Sequence, residues 1–128
     1  MAVAEKPLYY LSIHEAQQLI QKRQLSPVEL TGAILDRIEA VDSKLHAYIN
    51  LMAESAMQEA RVAETEILRG NWRGPMHGIP VAVKDQLDVE GVPARIRQFT
   101  KGVGDATAVR KLREAGAILL GKLHMSSL

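Results

Sequence analysis

Lys84 is the residue whose type and setting most suggest chemistry. It closes a short apolar run, Val81–Lys84, which follows Gly74, Pro75, Gly78 and Pro80. Alternation along a strand puts Val81 and Val83 on one side and Ala82 and Lys84 on the other. A lysine at the end of an apolar strand, introduced by a Gly/Pro-rich loop, stands where α/β folds carry functional groups. An ammonium with its ordinary pKa of about 10.4 is a poor base near neutrality. Burial would depress that value, and the neutral amine could then take the proton of a serine hydroxyl. From pattern alone, a strand-end lysine reaching solvent is the leading reading. An ion pair, for example with Asp88, and a catalytic role are the alternatives.

Other candidates carry less. His77 sits beside Gly78 in the loop, which suggests packing or backbone hydrogen bonding, and no carboxylate lies close by in sequence to make it a base. His14, His46 and His124 are scattered without metal-ligand spacing, and with no cysteine, thiol catalysis, disulfides and cysteine-held zinc are excluded. Arg95, Arg97 and Lys101, continued by Arg110, Lys111 and Arg113, form a basic cluster that reads as a solvated face. Sixteen basic against fifteen acidic residues leave a formal charge of +1, too little to attract nucleic acid or an acidic membrane. A composition of 47% hydrophobic and 24% charged residues is that of a folded globular chain, not a disordered one. No stretch approaches the roughly 20 apolar residues of a membrane span, and no signal-peptide pattern opens the chain. A cytoplasmic protein is expected.

The elements that must hold Lys84 can be read from caps and periodicity. Ser12 with Glu15, and Ser26-Pro27 with Glu29, have capping-box spacing. They predict a first helix ending near Gln24 and a second from Pro27 to about Val41, with a buried stripe of Leu30, Ile34, Ile38, Val41 and Leu45. A brief strand or extended link over 47–51 precedes a third helix, Ala53 to Leu68, whose inner face is mostly alanine. A fourth helix, Ala106 to Ala115 and capped by Asp105, leads to a strand at Ala117–Leu120, with Lys122 just beyond as a structural lysine. Strand, helix, strand predicts a parallel pair. The expected fold is α/β: N-terminal helices, then the first strands of a mixed sheet sandwiched by helices. Residues 1–128 are expected to form the N-terminal part of one domain, helical over 1–70 with the α/β core starting at 71–128.

Two ordered blocks then carry a family resemblance over practically the whole chain. The run Gly74-Pro75-Met76-His77-Gly78-Ile79-Pro80-Val81-Ala82-Val83-Lys84-Asp85 resembles the opening motif of the amidase signature family, departing from its usual form only at Met76. Residues Asp105–Val109 and Leu112–Lys122 resemble the second block, and Ser26–Leu30 fits the helices before it. The resemblance implies amide hydrolysis by a Ser–cisSer–Lys triad with Lys84 as the base and no metal or organic cofactor. It also implies that the two serines lie beyond Lys122, outside these residues. Ser126 and Ser127 lack the flanking glycines and read as turn or cap residues. Ala94–Phe99 departs from the family pattern, as do Leu123 and His124, which replace a threonine and an asparagine.

The implied partners are a small amide substrate or, in the amidotransferase branch, the companion subunits of a tRNA-dependent enzyme that draws ammonia from glutamine. A catalytically inactive fragment, serving as a folded module or assembly partner, is the rival expectation. An incomplete sheet would favour homo-oligomers.

Overall fold

In a computed structural model, residues 6–92, 94 and 104–125 are described. A short 3-10 turn, Leu8–Tyr10, precedes α1 (Ile13–Gln21), α2 (Pro27–Leu45), β1 (Tyr48–Leu51), α3 (Ala53–Leu68), β2 (Pro80–Lys84), α4 (Thr107–Glu114) and β3 (Ile118–Leu123). Both capping boxes form. Ser12 Oγ accepts from Glu15 N at 3.0 Å while Glu15 Oε1 accepts from Ser12 N at 2.9 Å. At α2, Ser26 Oγ accepts from Val28 N at 3.0 Å and Pro27 occupies the first turn, where its missing N–H loses nothing.

Helix α1 stops three residues before the expected end. Arg23 takes a left-handed φ of 59°, and Gln24 N reaches back to Leu19 O at 2.8 Å, closing the helix in a Schellman-like turn. Helix α2 instead runs four residues past Val41, and Leu45, expected in the buried stripe, is exposed because it is the last residue of the helix. His46, at φ 51°, ends it, and the Asp42 carboxylate accepts from Ala47 N at 2.7 Å.

The strands form one mixed sheet in the order β1-β3-β2, with β3 antiparallel to β1 and parallel to β2. The expected link at 47–51 is therefore a strand, placed beside a partner about seventy residues later. Helices cover both faces. On one, Ile118 and Leu120 pack with Ile38 and with Ala56, Ala60 and Ala63 of α3. Alanine buries little area for itself, but the absence of bulk lets α3 lie close on the sheet, so that Ile118 and Leu120 are almost wholly enclosed. Each such side chain contributes roughly 1.5–3 kcal/mol of burial. On the other face, Val83 and Leu119 pack with Val89 and with Val109 of α4. A third cluster, built on Ile20, Leu25, Leu30, Ile67 and Ile79, joins α1, α2, α3 and the approach to β2.

The helix between the parallel strands is shorter than expected, and its cap differs. Ala106 precedes it with no side-chain cap, because the Asp105 carboxylate is engaged elsewhere: it accepts from Glu90 N at 2.8 Å and pairs with Arg113 Nε at 3.0 Å. Strand β3 is longer than expected, continuing through Gly121 and Lys122 to Leu123. A Cβ at Gly121 would collide with the Asn50 carbonyl oxygen of β1, so the absence of a side chain there lets the two backbones approach.

Candidate functional site

The segment leading into Lys84 is fixed before the strand begins. In the 74–79 loop, His77 N bonds to Gly74 O at 3.0 Å, Ile79 N to Met76 O at 3.1 Å and Gly78 N to Gly116 O at 2.9 Å. The His77 ring is wholly buried. Its Nδ1 accepts from Arg73 N at 2.9 Å, which leaves the proton on Nε2, 2.9 Å from Glu66 Oε1. Packing and backbone hydrogen bonding at His77 are thus both present. Its carboxylate partner, invisible in the local sequence, arrives from α3. Arg73 Nη2 holds the second Glu66 oxygen at 2.7 Å, and Arg73 Nη1 donates to Glu114 O at 3.2 Å at the end of α4. Burial would push the Glu66 carboxyl up, but the hydrogen bonds from Arg73 and His77 outweigh it and hold the group below its ordinary value.

From this latch β2 runs beside β3, with Val83 opposite Lys122 and Lys84 opposite Leu123. Val83 is buried and Lys84 is exposed, as alternation requires. Lys84 therefore stands at the carboxyl end of a parallel strand pair, the end at which open α/β sheets bind ligands. Asp88, the alternative ion partner, is buried and accepts from Ala94 N at 3.3 Å.

Lys122, by contrast, has no exposed surface. Its Nζ donates to Val92 O at 2.9 Å and lies 3.4 Å from Asp85 Oδ1. The register shift opposite Val81 and Ala82 explains its direction. Residues two apart on a regular strand share a face, yet Leu120 faces α3 while Lys122 reaches Val92 on the opposite side. An extra residue in β3 reverses the alternation, which is how a bulge re-aims a side chain. Directly after Lys84, Asp85 N bonds to Leu123 O at 2.9 Å and Leu87 N turns back to Lys84 O at 3.0 Å.

Leu123 and His124, the departures in the second block, lie beside this end of β2. Leu123 pairs with both Tyr48 and Lys84, and His124, exposed, donates its backbone N–H to Ala47 O at 3.0 Å. Burial and the Asp42 charge push the Tyr48 hydroxyl above its ordinary pKa. The departure at 95–99, Lys101, and Ser126 and Ser127 lie outside the described residues. In α4 two of the basic residues have acidic partners: Arg110 meets Glu114 at 2.8 Å and Arg113 meets Glu59 at 3.1 Å. Among the described residues, no three His, Asp or Glu side chains gather as a metal site, and no helix is long and apolar enough to cross a membrane.

A mixed sheet clothed by helices, with a lysine at the carboxyl edge of its parallel pair, defines an α/β protein of the kind that the two sequence blocks resemble. The Amidase family model matches residues 29–128, and the chain belongs to that family. It is 47% identical over 122 residues to the A-subunit of the glutamyl-tRNA(Gln) amidotransferase of Moorella thermoacetica, covering 92% of this chain and 25% of that protein. A putative amidase AmiD of Mycobacterium tuberculosis is 39% identical over 127 residues, covering 95% of this chain and 26% of that one. Among solved structures, the peptide amidase of Stenotrophomonas maltophilia superposes with a TM-score of 0.84 at 34% identity, covering 94% of this chain and 26% of its own. The chain thus spans about a quarter of the length of the relatives it matches.

Proposed function

We propose that the protein carrying this segment hydrolyses the carbon–nitrogen bond of a linear amide, with Lys84 as the general base of a Ser–cisSer–Lys triad. The observation that carries this reading is the place of Lys84. It is exposed at the carboxyl end of β2, within the region matched by the Amidase family. In the working enzyme the rest of the protein covers that edge, and desolvation lowers the pKa of the amine. The neutral amine takes a proton by way of the bridging serine, and the second serine attacks the amide carbon. The proton passes to the departing nitrogen as the acyl-enzyme forms, and water then releases the acid. The substrate is a small amide. The 128 residues supply the lysine and neither matched serine, so the isolated chain is a catalytically silent module.

A second reading is favoured by the relatives named as A-subunits of glutamyl-tRNA(Gln) amidotransferases, 39–47% identical to this chain. In it, the amide is that of glutamine, and the ammonia passes to companion subunits.

The test is substitution of Lys84 in a form of the protein containing both serines. Lys84→Arg should be nearly as damaging as Lys84→Ala, each lowering turnover by roughly 100-fold or more, since a guanidinium cannot act as base. Folding should survive, because the side chain is exposed. Near-normal turnover of the arginine variant across neutral pH would withdraw the assignment. Amide turnover by the highly purified 128-residue chain, abolished by Lys84→Ala, would overturn its being catalytically silent.

A further inference from the structure

We propose that Lys122 is a positioning residue for Lys84: its buried ammonium, held by Asp85 and Val92 O, anchors to β3 the turn that follows Lys84. The inference rests on Lys84 being the base. It begins from an oddity of cost. Lys122 lies on the face of the sheet where Val83, Leu119 and Val89 pack, with no exposed surface. A charge there is tolerated only with close partners, and an apolar side chain of similar volume would usually serve stability as well or better. What an apolar side chain could not do is bind two oxygens of the segment that follows β2.

Both partners of Lys122 belong to the segment leaving β2. Asp85 is the residue directly after Lys84, in the turn closed by Leu87 N, and Val92 closes a second turn further along, its N–H bonded to Val89 O at 2.8 Å. Asp85 is therefore tied to β3 twice, through its N–H to Leu123 O at 2.9 Å and through its carboxylate to Lys122 Nζ at 3.4 Å. Among the described residues β2 is an edge of the three-stranded sheet, and Lys84 is its last residue. Edge-strand ends fray unless something holds them. Two ties on the next residue fix the backbone from which the Lys84 side chain starts. The ammonium of Lys122 sits on the Val83 side of the sheet, away from Lys84, so its effect passes through Asp85 and not through contact with substrate.

Amide hydrogen exchange of the 128-residue chain gives the first measurement, on Asp85→Asn and on the double variant Lys122→Met/Asp85→Asn, which removes both buried charges together. In the double variant the amide at position 85 should exchange at least tenfold faster, while that of Ala60, in the middle of α3, stays within a factor of three. Asp85→Asn alone, which leaves the buried Lys122 ammonium without its counter-charge, should accelerate exchange at position 85 at least as much as the double variant. In a serine-containing form, the double variant should lower kcat at least tenfold with KM within about twofold, because binding is retained and only the base is misplaced. Unchanged exchange at position 85, equal acceleration at Ala60, or unchanged kcat would each overturn the proposal. A failed base assignment looks different: Lys84→Arg would keep its turnover while exchange at position 85 still accelerated in the double variant.

Discussion

Replacing Gly116 by alanine tests how firmly the loop that introduces Lys84 is docked. Gly116 follows α4, has φ 90°, and its carbonyl accepts from Gly78 N at 2.9 Å. A Cβ there would lie 2.5 Å from His77 Cδ2 and 2.9 Å from His77 Cγ. The ring has no free retreat, since Arg73 N holds one nitrogen and Glu66 the other. The left-handed backbone costs an L-residue roughly 1–2 kcal/mol. Displacing the packed ring adds about 1–3 kcal/mol. Gly116→Ala should therefore destabilise by about 2–5 kcal/mol, a large share of the roughly 5–15 kcal/mol that holds a domain together.

Gly70→Ala supplies the comparison. Its φ is 88°, but nothing stands within 4 Å of the added carbon, so only the backbone cost of about 1–2 kcal/mol applies. Urea unfolding of both variants and wild type, read at a shared slope of about 2 kcal/mol per molar, should separate their midpoints by roughly 0.5–1.5 M. His77→Ala should remove most of the penalty specific to Gly116→Ala, a coupling that a double-mutant cycle measures. If the Gly116 and Gly70 variants fell within about 0.5 kcal/mol of each other, the ring would not be held and the latch would be no constraint on β2.

Glu15 should titrate near 2 instead of its ordinary 4.5, because Lys6 and the Ser12 N–H bond its carboxylate. Its contribution to stability is then complete above about 4.5 and lost as pH falls toward 2; carbon-13 NMR should show that midpoint, rising in Lys6→Ala, and titration near 4.5 in the parent would refute it. The sheet formed by the described residues ends in β1 and β2, so the 128-residue chain should self-associate at micromolar concentration through an open edge. Sedimentation equilibrium checks this, and a stable monomer with slow amide exchange in β2 and β3 would count against it.

What could be read from sequence was local. The capping boxes at Ser12 and Ser26, the bounds of α3 and the parallel strand pair each follow from residues within a few positions of one another, or from the order of elements. Asp105 shows where such reading fails. It has an N-cap residue type next to the start of α4, but a backbone N–H fifteen residues earlier and a guanidinium eight residues later take its oxygens. His77 fails in the same way, since its carboxylate partner comes from a helix that only the fold brings near.

Lys122 joins the two kinds of information. Its place in the second block, near the strand that carries Lys84, marks it as structural, but a regular strand would have placed it on the α2–α3 side with Leu120. The bulge decides otherwise, and Gly121 lets β3 meet Asn50 of β1 where it occurs. One irregular step in β3 thus turns a lysine away from the helices and toward Asp85, the residue after Lys84. Alternation alone was enough to set the direction of Lys84; the support beneath it depends on breaking that same alternation in the neighbouring strand.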